Sequence, residues 1–452
     1  MLSGILTKIF GKFHSREEVK KYVLLGFIFG AIIATYWAMR PLKNSIFGGI
    51  VGVDYIPRVK MISLLVILVL VFLYTKLVDL FPRNKVFYIL ATIYAVAALG
   101  FAYFLNHPVY GLANTVESPT RIIGWLWYIY VESFGTIWVP LFWAFSADVS
   151  TPDSAKRGFP MVMLFAQIGN ILGPWLLRGK KLGFTSDAPV VAIIASLILF
   201  IGALIWLFMR VIPSSELMGY QAKGEGAVEK KKKPGFFEGF KLLLSHGYLL
   251  GIFMFLFAFE VVNTVIDFYF NVLAKDAYPK TLDRSDYLAQ FAIVVGIVSS
   301  LSIIFGISNI QRRLGMKASL ITMPLLVAAG VIFWRLNPSL EITFGVLVAL
   351  KAINYALNQP SIKQLYIPTT KDTRYKAQAW IEVFGSRGSK ASGSAINDFK
   401  LRFTNWLGDA GLPYFLTMAT AVSLGLAGIW VIVAIYVSAK YNKAIKEDTV
   451  VC

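Results

Sequence analysis

The chain has 452 residues, of which 57% are hydrophobic and 15% are charged, with a mean hydropathy of +0.65. These values exclude an ordinary soluble domain and are typical of a protein whose helices cross a membrane several times. The 44 Lys and Arg residues outnumber the 25 Asp and Glu residues. Because cytoplasmic loops of membrane proteins are basic, we attribute this excess to membrane topology and expect no nucleic-acid partner.

Eleven apolar stretches are each long enough to cross the hydrocarbon core as a helix of about 20 residues. We expect these helices to contact membrane lipid. They lie near 22–48, 61–80, 86–105, 122–147, 158–177, 188–211, 247–271, 287–308, 317–335, 339–359 and 412–438. A twelfth segment, 376–398, is too polar to be found by hydropathy, but nothing in it breaks a helix. Counting this segment places the basic connections on one side of the membrane. The sequence therefore predicts twelve spans with both termini in the cytoplasm.

The longest polar connection, 213–245, contains the run EKKKKPG and is predicted to be a cytoplasmic linker. It separates two six-helix halves, 1–212 and 246–452. The stretch STPDSAKRGFPMVMLFAQIGNILGP in the first half resembles TTKDTRYKAQAWIEVFGSRGSKASGS in the second, pairing Asp153 with Asp372 and Gly169 with Gly388. Two such repeats predict an all-α polytopic membrane protein of major-facilitator-like architecture, with a substrate site between the halves.

Five cations lie inside the predicted spans: Arg40, Lys43, Lys351, Arg387 and Lys390. Each would cost about 2.5–3.5 kcal/mol if it faced lipid, so we expect all of them to face water or polar partners. Arg40 and Lys43 are three residues apart and share one helix face, and Arg387 and Lys390 repeat this spacing.

Polar and aromatic residues share helix faces with these cations. They are Tyr36 in the first span, Tyr128 and Glu132 in the fourth, Glu260, Asn263 and Asp267 in the seventh, and Asn354 in the tenth. One interpretation is that the acids and bases only pair with one another and hold the halves together. The other is that three acids leave the five cations a surplus of positive charge, which would bind an anion with several charges, such as a phosphate chain.

Motifs of common enzymes are absent from the sequence, which has no G-x-x-x-x-G-K-[ST], no HExxH and no nucleophile elbow. The single cysteine, Cys452, and three scattered histidines offer no metal site. A membrane enzyme such as a lipid-phosphate transferase would need a carboxylate–metal motif, which we do not find. We therefore expect a transporter with no catalytic residue and no cofactor.

Three stretches resemble motifs of the ATP/ADP translocases (nucleotide transporters) of obligate intracellular bacteria and plastids. RPLKNSIF is similar to R-x-x-K-D-S, and VESFGTIWVPLFWAF is similar to E-L-W-G-S-x-x-x-x-L-F-W. LYIPTTKDTRYKAQAWIEVFGSRGSKASGS is similar to Y-I-P-L-x-x-x-x-K-x-K-x-A-I-D-V-V-G-A-R-x-G-K-S-G-G. The resemblance covers most of the chain, in order. It implies exchange of ATP for ADP by alternating access across a bacterial inner membrane.

The resemblance places the essential charges of the family on Lys43, Glu132, Asp267 and Lys390, with Arg387 as the motif arginine. The full set of expected substrate-binding residues is Lys43, Arg40, Glu132, Asp267, Arg387, Lys390, Glu260, Asn263, Tyr36, Lys351, Asn354 and Tyr128.

This sequence also departs from the family pattern, with Asn44 where the family has Asp and Asp267 where it usually has Glu. Because members of the family differ in substrate, the alternatives are a proton-coupled carrier and a broad-specificity carrier of nucleotides, NAD or other organic anions. We expect a monomer.

Overall fold

The computed structural model describes residues 13–217, 236–304, 309–370, 377–378 and 380–451. Within these ranges all regular structure is helical. Several sequence expectations lie outside the described residues: most of the linker with its lysine run, the repeat positions Asp372 and Lys376, the end of the eighth predicted span at 305–308, and Cys452.

Twelve long helices follow one another in the described residues. They are α1 (Arg16–Phe47), α2 (Ile56–Leu80), α3 (Arg83–Asn106), α4 (Ile122–Asp148), α5 (Pro152–Leu176), α6 (Ala188–Val211), α7 (Gly247–Ala277), α8 (Thr281–Ile304), α9 (Asn309–Leu336), α10 (Leu340–Ile353), α11 (Ser386–Leu407) and α12 (Gly411–Glu447). Short helices occupy Ser214–Leu217, Phe236–Ser245 and Gln359–Leu365. Three π-helical turns occupy Gly48–Gly52, Asn354–Asn358 and Ile381–Gly385.

The helices extend beyond the apolar stretches because polar residues stabilise their first turns. Ser15 caps α1 by accepting a hydrogen bond from the backbone N–H of Glu18, at 2.9 Å. Thr151 and Ser154 form a capping box at the start of α5, where Pro152 occupies the first turn. These signals place the helix starts at Arg16 and Pro152 rather than at 22 and 158.

The predicted fold class is confirmed. Ten stretches of the described chain are long and apolar enough to cross a membrane, and two of them, Arg16–Leu80 and Ser386–Glu447, each contain two of the long helices. The polar segment predicted at 376–398 is helical wherever the structure describes it, at 377–378 and from Trp380 onward. It includes the π turn Ile381–Gly385 and continues as α11 to Leu407.

The described residues divide into two compact units. Unit 1 contains residues 13–53, 65–217 and 278–293, and unit 2 contains 54–64, 236–277, 294–304, 309–370, 377–378 and 380–451. The units therefore differ from the sequence halves at two short segments. Residues 54–64, which begin α2, are grouped with unit 2, and residues 278–293, which include the start of α8, are grouped with unit 1.

Small residues bring helices into close contact in both units. In unit 1, a Cβ added at Gly169 of α5 would overlap the carbonyl oxygen of Gly30 in α1. In unit 2, a Cβ at Gly393 of α11 would lie 2.9 Å from Cβ of Thr264 in α7. Backbone contact of this kind is a common way for membrane helices to associate. Gly388, the repeat partner of Gly169, instead borders open space.

Candidate functional site

Lys43 of α1 is held in unit 1 by residues of α4. Its ammonium group forms an ion pair with Glu132 and lies 4.5 Å from the ring centre of Tyr128. The Lys43 side chain is 9% exposed and that of Glu132 is 24% exposed. A buried lysine needs such a partner, because an isolated buried charge is costly. The structure therefore brings together three of the residues expected from the sequence.

Arg40 lies one turn before Lys43 and contacts aromatic rings of its own helix. Its guanidinium carbon lies 4.5 Å from the ring centre of Trp37 and 5.8 Å from that of Tyr36. These distances are within the range of a cation–π interaction. Tyr36 was expected from the sequence. Trp37 was not, although its spacing of three residues from Arg40 could have indicated it.

Two carboxylates on one face of α7 hold lysines in unit 2. Asp267 accepts a hydrogen bond from Nζ of Lys351 on α10 at 2.9 Å, and Glu260 lies 3.9 Å from Nζ of Lys390 on α11. Glu260 and Asp267 are seven residues apart, which corresponds to about two helical turns or about 10 Å along the axis.

The expected asparagines lie close to these pairs. Asn354 follows Lys351 by three residues, is 4% exposed and accepts a hydrogen bond from Asn358 at 2.8 Å. The side-chain oxygen of Asn263, between Glu260 and Asp267 on α7, is buried and accepts no hydrogen bond from a described residue. Such an oxygen is costly to leave unpaired and is suited to a donor from water or a ligand.

The two cations of α11 have different surroundings. The Lys390 side chain is 52% exposed and Arg387, one turn earlier, is half-buried.

The substrate-binding residues expected from the sequence are all on described helices. Tyr36, Arg40, Lys43, Tyr128 and Glu132 lie in unit 1, and the remainder lie in unit 2.

The π turns lie next to expected cations along the chain. One ends two residues before Arg387, one begins three residues after Lys351, and one begins five residues after Lys43. π-helical turns are rare and occur frequently at functional sites.

Lys60 is a cation that was not among the site residues expected from the sequence. Its Nζ lies 3.8 Å from Asp267 in unit 2. Lys60 immediately precedes the apolar stretch that begins at residue 61, so hydropathy placed it in a loop, whereas α2 begins at Ile56.

Unit 1 also contains a polar cluster that connects the start of α8 to the loop before α6 and to the end of α1. Arg178 forms a bidentate pair with Asp286, at 2.7 and 2.6 Å, and Ser285 donates to Asp187 at 2.6 Å. The fully buried Arg284 donates to the carbonyl oxygen of Ser45 at 2.8 Å. Burial raises the pKa of Asp187, which lies outside the spans, to about 6.

Comparison with known proteins identifies relatives over most of the chain. The family model described as TLC ATP/ADP transporter matches residues 5–441. ADP,ATP carrier protein 3 of Rickettsia bellii is 24% identical over 439 residues, covering 84% of this chain and 87% of the carrier. ADP,ATP carrier protein 1 of Rickettsia prowazekii is 25% identical over 451 residues, covering 89% of this chain and 90% of the carrier.

Solved structures of major-facilitator-like transporters share the fold. A D-xylose–proton symporter superimposes with a TM-score of 0.61 at 12% identity, covering 92% of this chain and 96% of the symporter. The nucleoside transporter NupG gives a TM-score of 0.53 at 13% identity, covering 94% of this chain and 99% of NupG. The resemblance found in the sequence motifs is thus confirmed by the family match, and this chain belongs to the TLC ATP/ADP transporter family.

Proposed function

We propose that this protein exchanges ATP for ADP across a bacterial inner membrane by alternating access, and that Lys43 and Lys390 bind the phosphates. The names of the relatives, which are ADP,ATP carriers, support the substrate class. The proposed topology places both termini in the cytoplasm, and the proposed carrier acts as a monomer without a cofactor or a covalent step.

One observation supports the role of the lysines more than any other. Each has a carboxylate partner, Glu132 for Lys43 and Glu260 for Lys390, on a neighbouring helix of its own unit. The carboxylate keeps the lysine charged and in position when no nucleotide is bound. A phosphate group carries more charge than a carboxylate and offers more acceptor oxygens, so it competes well for the same ammonium group.

Exchange follows from this competition. A site with bound phosphates has its cations neutralised, whereas an empty site depends on its carboxylates for neutralisation. In the proposed cycle, replacing ATP by ADP avoids the empty state, so a counter-substrate on the far side of the membrane should accelerate transport.

Uptake of labelled nucleotides tests the proposal directly. Cells expressing the protein should take up labelled ATP and ADP, and preloading them with unlabelled nucleotide should accelerate uptake. GTP and NAD, added in separate assays, report the range of substrates. If preloading does not change the rate of uptake, and uptake stops when the proton gradient is collapsed, the proton-coupled alternative is favoured. No uptake of any nucleotide by correctly inserted protein would overturn the proposal.

A further inference from the structure

Asp267 lies between two lysines that come from different helices. Nζ of Lys351 is 2.9 Å from Oδ1 of Asp267, and Nζ of Lys60 is 3.8 Å from Oδ2. Each oxygen of the carboxylate therefore has its own cation. The side chains of Lys351, Lys60 and Asp267 are 13, 18 and 20% exposed, so all three are largely enclosed but still reach solvent.

Lys60 lies on the protein-facing side of α2. Ile56, one turn earlier, is fully buried, and Ser63, one turn later, is 5% exposed. Ile62 and Leu65, on other faces of the helix, are 42 and 65% exposed. A lysine on the buried face of a membrane helix is costly and is commonly kept for a functional reason.

The position of this group along α7 suggests what it binds. Glu260, with Lys390, lies about two turns before Asp267 on the same helix face. A phosphate chain that is held at Lys390 and extends along α7 would approach Asp267 with its far end. The group of Lys60, Lys351 and Asp267 has two positive charges and one negative charge. A terminal phosphate, with about two negative charges at pH 7, can replace or join the carboxylate as the anion that both lysines share.

We propose that Lys60 is a specificity-determining residue that, together with Lys351, binds the terminal phosphate of the transported nucleotide. This inference rests on the proposed function, and it adds Lys60, in the first turns of α2 that are grouped with unit 2, to the expected phosphate-binding residues on α10 and α11. Because a longer phosphate chain extends further along α7, Lys60 favours ATP over ADP, and ADP over AMP.

The competing explanation is that Lys60 only neutralises Asp267. The two roles predict different responses to the number of phosphates. A structural partner would affect the binding of all three nucleotides alike. A phosphate ligand would affect ATP most and AMP least.

The test measures binding of ATP, ADP and AMP to the purified full chain. Lys60→Gln should weaken ATP binding by about tenfold or more, weaken ADP binding less and leave AMP binding nearly unchanged. Arg58→Gln is the matched control. Arg58 lies two residues before Lys60 on α2 and pairs with Asp398 at 2.8 Å. Its replacement removes a cation from the same part of the helix and should preserve the ATP-to-ADP affinity ratio of the parent.

A double variant separates the two roles of Lys60. Lys60→Gln alone leaves the Asp267 carboxylate without one of its two cations, which can impair folding. Lys60→Gln/Asp267→Asn removes both charges and avoids this problem. If Lys60 binds phosphate, the preference for ATP should remain reduced in the double variant. Recovery of the parent's ATP-to-ADP ratio would overturn the inference and leave Lys60 as a structural partner.

The parent protein distinguishes failure of this inference from failure of the proposed function. If the parent binds no nucleotide, the proposed function fails and the inference fails with it. If the parent prefers ATP and Lys60→Gln keeps the same preference, only the inference is wrong.

Discussion

Asp187 accepts a hydrogen bond of 2.6 Å from the hydroxyl of Ser285, which lies 98 residues further along the chain. The other carboxylate oxygen of Asp187 is buried and has no hydrogen-bond partner among the described residues. The charged residues that act on Asp187 are Arg284, which favours its ionised form, and Asp286, which opposes it. Burial outweighs both the hydrogen bond and Arg284, and it raises the pKa of Asp187 to about 6.

This raised pKa predicts how the stability of the protein depends on pH. Between about pH 4 and pH 6 the folded protein binds more protons at Asp187 than the unfolded chain does. The contribution of Asp187 therefore stabilises the fold at the low end of this range and is lost as the pH rises through 6. Asp187→Asn keeps the acceptor for Ser285 but cannot ionise. The variant should raise the unfolding temperature at pH 7 and leave it nearly unchanged at pH 4. An equal shift at both pH values would contradict the assignment.

Lys43→Gln and Lys390→Gln should each weaken nucleotide binding by about tenfold or more, because each removes a charge-assisted contact to phosphate. The loss should increase from AMP to ADP to ATP, since more negative charge is left uncompensated. Lys20→Gln is the control on α1, because Lys20 is 49% exposed and pairs with Glu17 at 3.7 Å. Variants that insert normally and still distinguish ATP from AMP as the parent does would show that the two lysines are only partners of Glu132 and Glu260.

Gly169→Ala should destabilise unit 1. The added methyl group would meet the carbonyl oxygen of Gly30 and force α1 away from α5, and overpacking of this kind costs about 1–3 kcal/mol. Gly100→Ala in α3 is the matched change, because no atom lies within 4 Å of its added Cβ. Thermal unfolding in detergent should show a lower midpoint for Gly169→Ala and an equal or higher one for Gly100→Ala, since alanine favours helix. Equal midpoints for both variants would mean that α1 and α5 can separate without cost.

Reporters fused to the two ends of the chain should both be active in the cytoplasm. The distribution of basic residues predicts this orientation, and it depends on counting α11 as a span. The C-terminal test uses a phosphatase reporter that is active only outside the cytoplasm. Phosphatase activity from a fusion after Cys452 would exclude the twelve-span topology. An N-terminal fusion, tested in parallel, verifies that the first span keeps its orientation.

The fold could be predicted from the sequence because the thickness of the bilayer sets the length of each apolar stretch. The cations could be identified because charges are rare in such stretches. The role of Lys60 could not be predicted because its pairing with Asp267 is a tertiary contact between helices, and the pattern of residues within one helix does not indicate such contacts. The pairing of Asp187 with Ser285 could not be predicted for the same reason, since Ser285 lies on a different helix. The sequence repeat does not extend to packing, because a Cβ added at Gly169 would meet the backbone of Gly30 whereas one added at Gly388 would meet no atom within 4 Å.

The π turn Ile381–Gly385 has a mechanical consequence for the cations that follow it. A π turn contains one residue more than the α-helical hydrogen-bond pattern accommodates, and one residue of α-helix corresponds to a rotation of about 100°. If this turn adopts α-helical hydrogen bonds, the chain after it rotates by about 100° relative to the chain before it. Arg387 and Lys390 would then turn together around the helix axis, and Lys390 would move away from Glu260.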